Sequence, residues 1–192
     1  MISLKKLYEE LKNSKYTIFC DMDGVLVDFE DGYKTLTGET TTEANAGGTS
    51  YFWDLYRKSL DEKQISERDF WANLKPLPDK QKLWDFISPY NPNILSAPAI
   101  DLSQSLKDRY DPEKNECIMG KKMWIAKNLS PSPNEENFVA SSQKSIFSGE
   151  NQILIDDRED IIRSWNDKGG IGILHTSAAN TIKKLEIIFN ER

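Results

Sequence analysis

Four aspartates form two close pairs in this sequence, and each pair directly follows an apolar segment. Asp21 and Asp23 belong to the segment Asp-Met-Asp-Gly, whereas Asp156 and Asp157 belong to the segment Ile-Asp-Asp-Arg. Carboxylates that converge in a fold repel one another strongly unless a cation lies among them. Hard oxygen ligands suit Mg²⁺, which usually takes one or two carboxylates together with the phosphate of a substrate. The electrostatics of these residues therefore predict a magnesium site.

The elements that would position these aspartates are strands and helices in alternation. Apolar segments typical of buried strands are separated by segments with helical periodicity. This alternation predicts a parallel sheet covered by helices on both faces. Ligands of such a sheet bind outside the carboxyl ends of its strands, so we expect Ser96 and both aspartate pairs to meet in one crevice. The predicted strands are residues 16–20, 93–96, 138–140, 152–156 and 170–175.

Residues 29–90 interrupt this alternation. They contain no convincing strand but several helical segments, whose starts carry polar residues typical of helix N-caps. We therefore predict an α/β fold, a Rossmann-like parallel sheet sandwiched by helices, with a small helical cap inserted after the first strand. The core domain would comprise residues 1–28 and 91–192, and the cap residues 29–90.

The first aspartate pair lies within a longer motif. Residues 21–28, with the sequence DMDGVLVD directly after an apolar strand, resemble the first motif of the haloacid dehalogenase (HAD) superfamily. The later motifs match in order, with Ser96 after an apolar strand, Lys144 upstream of the fourth strand, and Asp156-Asp157 at its end. This resemblance implies a magnesium-dependent phosphohydrolase.

A closer resemblance is to the 5′(3′)-deoxyribonucleotidases. It rests on residues 21–29 (DMDGVLVDF), residues 154–158 (LIDDR) and the downstream Trp165. Residues 170–176 (GIGILHT) resemble an ending shared by bacterial and phage relatives. The similarity covers the predicted sheet nearly end to end, whereas the cap matches in position and character alone. The substrate implied is a nucleoside 5′-monophosphate, a small molecule.

The resemblance also implies roles for the four aspartates. Asp21 would be the nucleophile and would form an aspartyl-phosphate. Asp23 would protonate the leaving oxygen and then deprotonate the water that hydrolyses the intermediate. Asp156 would bind Mg²⁺ together with Asp21 and the backbone carbonyl of Asp23, while Asp157 would hold the water ligands of the metal.

Two further residues would bind the phosphoryl group. The hydroxyl of Ser96 would hold a phosphoryl oxygen, and Lys144 would neutralise charge on the phosphoryl group and on the nucleophile. Lys121 and Lys122 compete with Lys144 for this cationic role. Because both lie on a predicted helix, where lysines are usually solvated, we favour Lys144.

Other candidates have simpler structural explanations. We interpret Asp28 as a helix N-cap and Asp160 as an acidic residue in the first turn of a helix, where the dipole favours it. Arg158 could contact substrate or form an ion pair in solvent. His175, at the end of an apolar strand, is more often structural than functional.

The chain departs from the deoxyribonucleotidase pattern at two positions. Ala97 stands where family members often carry a second hydroxyl, and Ser142 stands where they can carry an arginine. Both positions lie near the phosphate and ribose, so a phosphatase for sugar phosphates or another small metabolite is an alternative. A catalytically silent HAD-fold binding protein is another alternative, although no catalytic residue is visibly lost. A dehalogenase is disfavoured because dehalogenases lack the second acid, which is Asp23 here.

The predicted cap is rich in aromatic residues, which a small helical domain needs to form a core. The consecutive residues Tyr51, Phe52 and Trp53 cannot all face one core, because three residues fan across roughly 200° of a helix. We therefore predict that Phe52 or Trp53 lies at a crevice between cap and core, where it could stack on a nucleobase.

Composition excludes several other classes of protein. A net charge of −6 argues against a surface that binds nucleic acid polymers. Two cysteines make a disulfide framework unlikely, and the first residues mix charges into apolar positions, unlike a secretion signal. No apolar run is long enough to span a membrane. We expect a cytoplasmic protein of undetermined oligomeric state.

Overall fold

The computed structural model of the protein describes residues 15–99 and 105–190. Five parallel strands form one sheet in the order β3-β2-β1-β4-β5. Helices flank this sheet, so the predicted α/β fold is confirmed. The first residues, which mix charges into apolar positions, lie outside the described residues. The strands are β1 (Thr17–Cys20), β2 (Asn93–Ser96), β3 (Glu136–Phe138), β4 (Gln152–Asp156) and β5 (Ile171–Leu174).

The order of the strands fixes the position of the crevice. From β1 the chain proceeds to β2 and β3 on one side of β1, and then to β4 and β5 on the other side of β1. The strand order therefore reverses between β1 and β4, which is where an open parallel sheet binds its ligands. Both strands are almost entirely buried and apolar, as expected for a sheet covered on both faces.

The helices agree with the predicted alternation in the second half of the chain and with the helical insertion in the first half. Among the described residues, none of the helices is long and apolar enough to cross a membrane. The helices are α1 (Phe29–Thr37), α2 (Thr41–Ala46), α3 (Thr49–Lys63), α4 (Glu67–Ala72), α5 (Lys80–Ile87), α6 (Leu106–Arg109), α7 (Glu116–Asn128), α8 (Glu159–Asp167) and α9 (Ala178–Asn190), with 3₁₀ helices at Ser88–Tyr90 and Ser141–Phe147.

The chain divides into two compact units with boundaries that differ from the predicted 29–90. Among the described residues, the core unit comprises residues 15–26, 77–97 and 129–190, and the cap unit comprises residues 27–76, 98–99 and 105–128. Helix α5, placed in the cap by the sequence analysis, belongs to the core unit, and helix α7, placed in the core, belongs to the cap unit. Helical periodicity identifies both helices but does not say which neighbours they pack against.

Specific contacts explain both reassignments. In the core unit, the indole of Trp84 on α5 donates a hydrogen bond of 3.0 Å to the carbonyl oxygen of Pro131. In the cap unit, the indole of Trp124 on α7 donates one of 2.8 Å to the carbonyl oxygen of Leu74. Helix α7 also packs very closely on α4 at Gly120, where a Cβ atom would lie 2.6 Å from the Cβ of Trp71.

The interior of the core unit holds the strand ends together. Helix α8 buries one apolar face against the sheet, and Trp165 on this face lies edge-on to Phe19 of β1 at 5.5 Å between ring centroids. A hydrophobic cluster thus joins the strands that carry the candidate site residues to α8, the helix that follows β4. Its buried members are Phe19, Leu95, Leu154, Ile161, Ile162 and Trp165.

The interior of the cap unit is largely aromatic. Phe29 stacks on Trp71 at 5.1 Å, and Tyr33 stacks on Phe52 at 4.3 Å. The hydroxyl of Tyr33 donates a hydrogen bond of 3.0 Å to the backbone carbonyl of Phe52. These contacts support the interpretation that most aromatic residues of the cap form its own core.

Candidate active site

Asp21 and Asp156 lie side by side at the carboxyl ends of the two central strands. Asp156 is the last residue of β4, and Asp21 directly follows β1. The backbone amide of Asp21 donates a hydrogen bond of 2.9 Å to the carbonyl of Ile155, which continues the pairing of the two strands. Both aspartates are buried. The sheet therefore brings one carboxylate of each pair to the predicted crevice.

Lys144 bridges these two carboxylates. It lies in the 3₁₀ helix Ser141–Phe147, it is 2% exposed, and its Nζ is 2.9 Å from Asp21 Oδ2 and 2.7 Å from Asp156 Oδ2. Burial by itself lowers the pKa of a lysine, but here the charges of Asp21 and Asp156 outweigh it and the pKa of Lys144 is raised. Lys144 is therefore a charged residue within the carboxylate cluster.

The competing lysines lie in the cap unit and differ from each other. Lys122 is exposed, as expected for a helical lysine. Lys121 is 1% exposed, and its Nζ lies 4.5 Å from the centroid of the Trp71 ring. The expectation that Lys121 is solvated is therefore wrong, because close packing of α7 on α4 covers its side chain.

Asp157 completes a set of three carboxylates that could hold a metal ion. One oxygen from each of Asp21, Asp156 and Asp157 lies within 4.8 Å of the others. Asp157 is the exposed member of the set, although its carboxylate is partly shielded from solvent. This partial desolvation, followed by the charges of Asp21, Asp156 and Asp23, raises the pKa of Asp157 to about 7. The protein thus concentrates negative charge at one point.

A divalent cation fits this arrangement. Asp21 Oδ2 contacts Lys144, but Asp21 Oδ1 is buried and has no hydrogen-bond partner among the described residues. A buried carboxylate oxygen is costly to leave without a partner. Carboxylate oxygens are also the ligands that Mg²⁺ prefers, and one divalent charge would offset the excess that Lys144 leaves. The residues present are therefore suitable for Mg²⁺.

The remaining predicted site residues are Ser96 and Asp23. Ser96 is the last residue of β2, it is fully buried, and β2 is the neighbour of β1. Asp23 lies two residues after Asp21, in the turn in which the amide of Leu26 donates a hydrogen bond of 2.8 Å to the carbonyl of Met22. The structure places both residues at the carboxyl edge of the sheet, within the core unit.

The backbone amide of Arg158 is a feature that the sequence analysis missed. It donates a hydrogen bond of 3.0 Å to Asp156 Oδ1, so that Lys144 and this amide together hold both carboxylate oxygens of Asp156. The guanidinium of Arg158 forms an ion pair of 2.7 Å with Asp160, and both side chains are exposed. Backbone donors have no sequence signature, so reasoning from residue types does not reveal them.

One structural interpretation is confirmed, and a second is consistent with the structure. The side chain of Asp28 accepts a hydrogen bond from the amide of Asp31 and caps α1. His175 is buried after β5, and its Nδ1 lies 2.8 Å from Thr181 Oγ1. Burial lowers the pKa of His175, which favours its neutral form. A neutral, hydrogen-bonded histidine is consistent with a structural role.

The aromatic residues predicted to reach substrate differ in exposure. Tyr51 is 44% exposed and its hydroxyl donates a hydrogen bond of 2.8 Å to Glu39, whereas Phe52 is 6% exposed within the aromatic core of the cap. Trp53 is partly exposed and lies edge-on to Phe52 at 4.9 Å. The three residues fan around α3 as expected. A contact of Phe52 or Trp53 with substrate stays a prediction, and Trp53 is the more accessible of the two.

Comparison with known proteins gives similarity in structure alone. No protein-family model matches the sequence, and no curated protein is similar to it. A haloacid dehalogenase-like hydrolase from Streptococcus pneumoniae aligns with a TM-score of 0.50 and 14% identity, over 91% of this chain and 97% of its own. A HAD-superfamily hydrolase from Ehrlichia chaffeensis aligns with a TM-score of 0.51 and 12% identity, over 91% and 97%. An L-2-haloacid dehalogenase aligns with a TM-score of 0.52 and 12% identity, over 88% and 99%.

These neighbours share the fold of this protein, a Rossmann-like α/β fold of the HAD type. At such low identities they do not assign an activity. The closer resemblance to 5′(3′)-deoxyribonucleotidases is not found among them and stays a prediction.

Proposed function

We propose that the protein is a magnesium-dependent hydrolase of phosphate monoesters that acts through an aspartyl-phosphate on Asp21. The observation that carries this proposal is the position of Lys144, whose ammonium joins Asp21 and Asp156 while Asp21 Oδ1 has no partner among the described residues. The ion pair thus fixes the carboxylate of Asp21 next to that of Asp156. Phosphoryl transfer depends mostly on such positioning and charge neutralisation.

Asp21 would attack the phosphorus atom through one carboxylate oxygen and hold Mg²⁺ with the other. The bond from phosphorus to the ester oxygen breaks as the bond from phosphorus to the attacking carboxylate oxygen forms, and the alcohol leaves with a proton from Asp23. Asp23 then removes a proton from the water that attacks the aspartyl-phosphate, which releases inorganic phosphate and restores Asp21. The proximity of Asp23 to Asp21 in the turn after β1 supports this pairing of roles.

Lys144 and Ser96 would bind the phosphoryl oxygens during both steps. Lys144 also orients the carboxylate of Asp21, because its ammonium is 2.9 Å from Asp21 Oδ2. Asp21, Asp156 and the backbone carbonyl of Asp23 would hold Mg²⁺, with Asp157 on its water ligands. The bound Mg²⁺ would supply positive charge to the transferring phosphoryl group.

For the substrate, we propose a nucleoside 5′-monophosphate. The resemblance of residues 21–29 and 154–158 to deoxyribonucleotidases supports this class, and Trp53 is an aromatic side chain with exposed surface in the cap unit. Ala97 and Ser142 depart from the pattern of these enzymes, so sugar phosphates are the second candidate.

A dehalogenase is the alternative from a different reaction class, because an L-2-haloacid dehalogenase is among the similar structures. Asp23 argues against it, since a dehalogenase needs no acid for an alcohol leaving group. The cluster of Asp21, Asp156 and Asp157 argues against it as well, because it favours a cation that dehalogenation does not require.

A single assay separates these candidates. Phosphate release would be measured over nucleoside monophosphates, sugar phosphates and p-nitrophenyl phosphate, with Mg²⁺ and with excess EDTA, beside halide release from 2-haloacids. We expect phosphate release that EDTA abolishes and that Mg²⁺ restores. Undiminished release in EDTA contradicts the metal requirement, halide release favours the dehalogenase, and no turnover of any substrate favours a binding protein. Equal rates on sugar phosphates and nucleotides contradict the nucleotidase proposal alone.

A further inference from the structure

Gly24 makes an unusually close contact with Asp157. A Cβ atom on Gly24 would lie 2.6 Å from Asp157 Cγ and would overlap Asp157 Oδ2. Cβ atoms in proteins do not approach carbon atoms that closely. The carboxylate of Asp157 therefore occupies the space that any other residue at position 24 would need for its side chain.

Neither backbone can readily move to relieve such an overlap. Gly24 lies in a tight turn closed by hydrogen bonds from the amides of Val25 and Leu26 to the carbonyl of Met22, and these three residues are fully buried. On the other side, Asp157 directly follows Asp156, whose carboxylate is fixed by the contacts described above. The group that can move is the exposed side chain of Asp157, which would turn toward solvent.

We propose that Gly24 is a positioning residue for Asp157. Its bare Cα is the surface on which the carboxylate of Asp157 rests, and this contact keeps the carboxylate within 4.8 Å of the ligand oxygens of Asp21 and Asp156. The inference rests on the proposed metal site. It gives the glycine of the Asp-Met-Asp-Gly segment a second role besides permitting its backbone conformation, which has a φ of 72°.

Gly169 provides a matched control in the same unit. Its φ is 87°, so an alanine there meets the same backbone strain, but a Cβ atom on Gly169 would have nothing within 4 Å. Gly169→Ala thus measures the strain alone, whereas Gly24→Ala combines the strain with the displacement of Asp157.

The test is a double-mutant cycle of Gly24→Ala and Asp157→Ala, with Gly169→Ala as control, read by calorimetric titration with Mg²⁺. We expect Gly24→Ala and Asp157→Ala each to weaken Mg²⁺ binding by roughly 10- to 100-fold, as loss of an outer ligand contact does. The double variant should bind no more weakly than Asp157→Ala, and Gly169→Ala should bind like the wild type. Wild-type affinity of Gly24→Ala, or losses that multiply in the double variant, would overturn the inference.

A second measurement, the Tm of the metal-free variants, applies if Gly24→Ala folds poorly. Removing the carboxylate should relieve the overlap, so Asp157→Ala should raise the Tm more in the Gly24→Ala background than in the wild type. Equal effects in both backgrounds would show that the two residues do not interfere. Wild-type protein that binds no Mg²⁺ contradicts both the metal site and this role. If it binds Mg²⁺ but releases no phosphate, the proposed function alone is contradicted.

Discussion

Lys144 in the core unit and Lys121 in the cap unit are both buried, and the two lysines have different surroundings. In the core unit, Lys144 lies between two carboxylates at 2.7 and 2.9 Å, whereas in the cap unit Lys121 lies over the ring of Trp71 at 4.5 Å. A buried charge is tolerated when ions or polarisable groups replace the lost water. Lys144 leaves the carboxylates around it in excess, which favours a cation, whereas Lys121 packs on an aromatic ring. Burial of a lysine therefore does not by itself indicate a metal site.

The largest effect should follow from Asp21, the proposed nucleophile in the core unit. Asp21→Asn replaces the nucleophilic carboxylate with a neutral amide, so turnover should fall by roughly 10⁴-fold or more, as it does when an enzyme loses its nucleophile. Asp23→Asn loses proton transfer and should be slower by roughly 10²- to 10⁴-fold. Steady-state phosphate release measures both changes, and beryllium fluoride bound to a residue other than Asp21 in a crystal would refute the assignment.

The comparison of the two lysines can be tested directly. Lys144→Ala should cripple catalysis and should lower the free energy of unfolding of the metal-free protein by about 3–5 kcal/mol, because two buried carboxylates lose their counterion. Lys121→Ala should leave kcat nearly unchanged but destabilise the protein by roughly 1–2 kcal/mol through its lost contact with Trp71. The exposed neighbour Lys122→Ala is the control and should change neither quantity. If Lys121→Ala cripples catalysis and Lys144→Ala does not, the cationic role is assigned to the wrong lysine.

The packing of the cap unit predicts a loss of stability without a loss of metal binding. In Gly120→Ala, a Cβ atom would overlap the carbonyl oxygen of Arg68, so α7 and α4 must move apart. Overpacking of this kind destabilises by roughly 1–3 kcal/mol. Urea unfolding should detect this loss, while calorimetry should give wild-type Mg²⁺ affinity. A weakened Mg²⁺ affinity would contradict the assignment of the metal site to residues of the core unit alone.

The smallest effect concerns substrate choice. Trp53→Ala should lower the preference for nucleoside monophosphates over glycerol phosphate by about 10-fold in kcat/KM, since one stacked base contributes roughly 1–3 kcal/mol. Turnover of p-nitrophenyl phosphate, which has no base, should stay unchanged. Phe52→Ala, which empties a space inside the cap, should instead destabilise the protein by about 3–5 kcal/mol. If neither substitution changes the preference for nucleoside monophosphates, Phe52 and Trp53 do not contribute to substrate specificity.

Local patterns in the sequence predicted the central strands and the residues at their carboxyl ends. Apolar segments ending at Asp21, Ser96 and Asp156 predicted strands, and a parallel sheet brings the ends of such strands to one edge. This inference needs local patterns alone, because the period of the hydrophobic residues is set by the geometry of each element. The resemblance to the HAD motifs also indicated Lys144, whereas the contacts of its ammonium with Asp21 and Asp156 depend on tertiary structure.

Features that depend on contacts between distant segments could not be predicted from local patterns. The assignment of α5 to the core unit and α7 to the cap unit, the burial of Lys121 and the position of Phe52 each depend on which surfaces pack together. The close approach of Gly24 to Asp157 depends on the tight turn after β1 and on the pairing of β1 with β4. Hydrophobic burial is non-directional, so a local pattern shows that a face is buried but does not show against which partner.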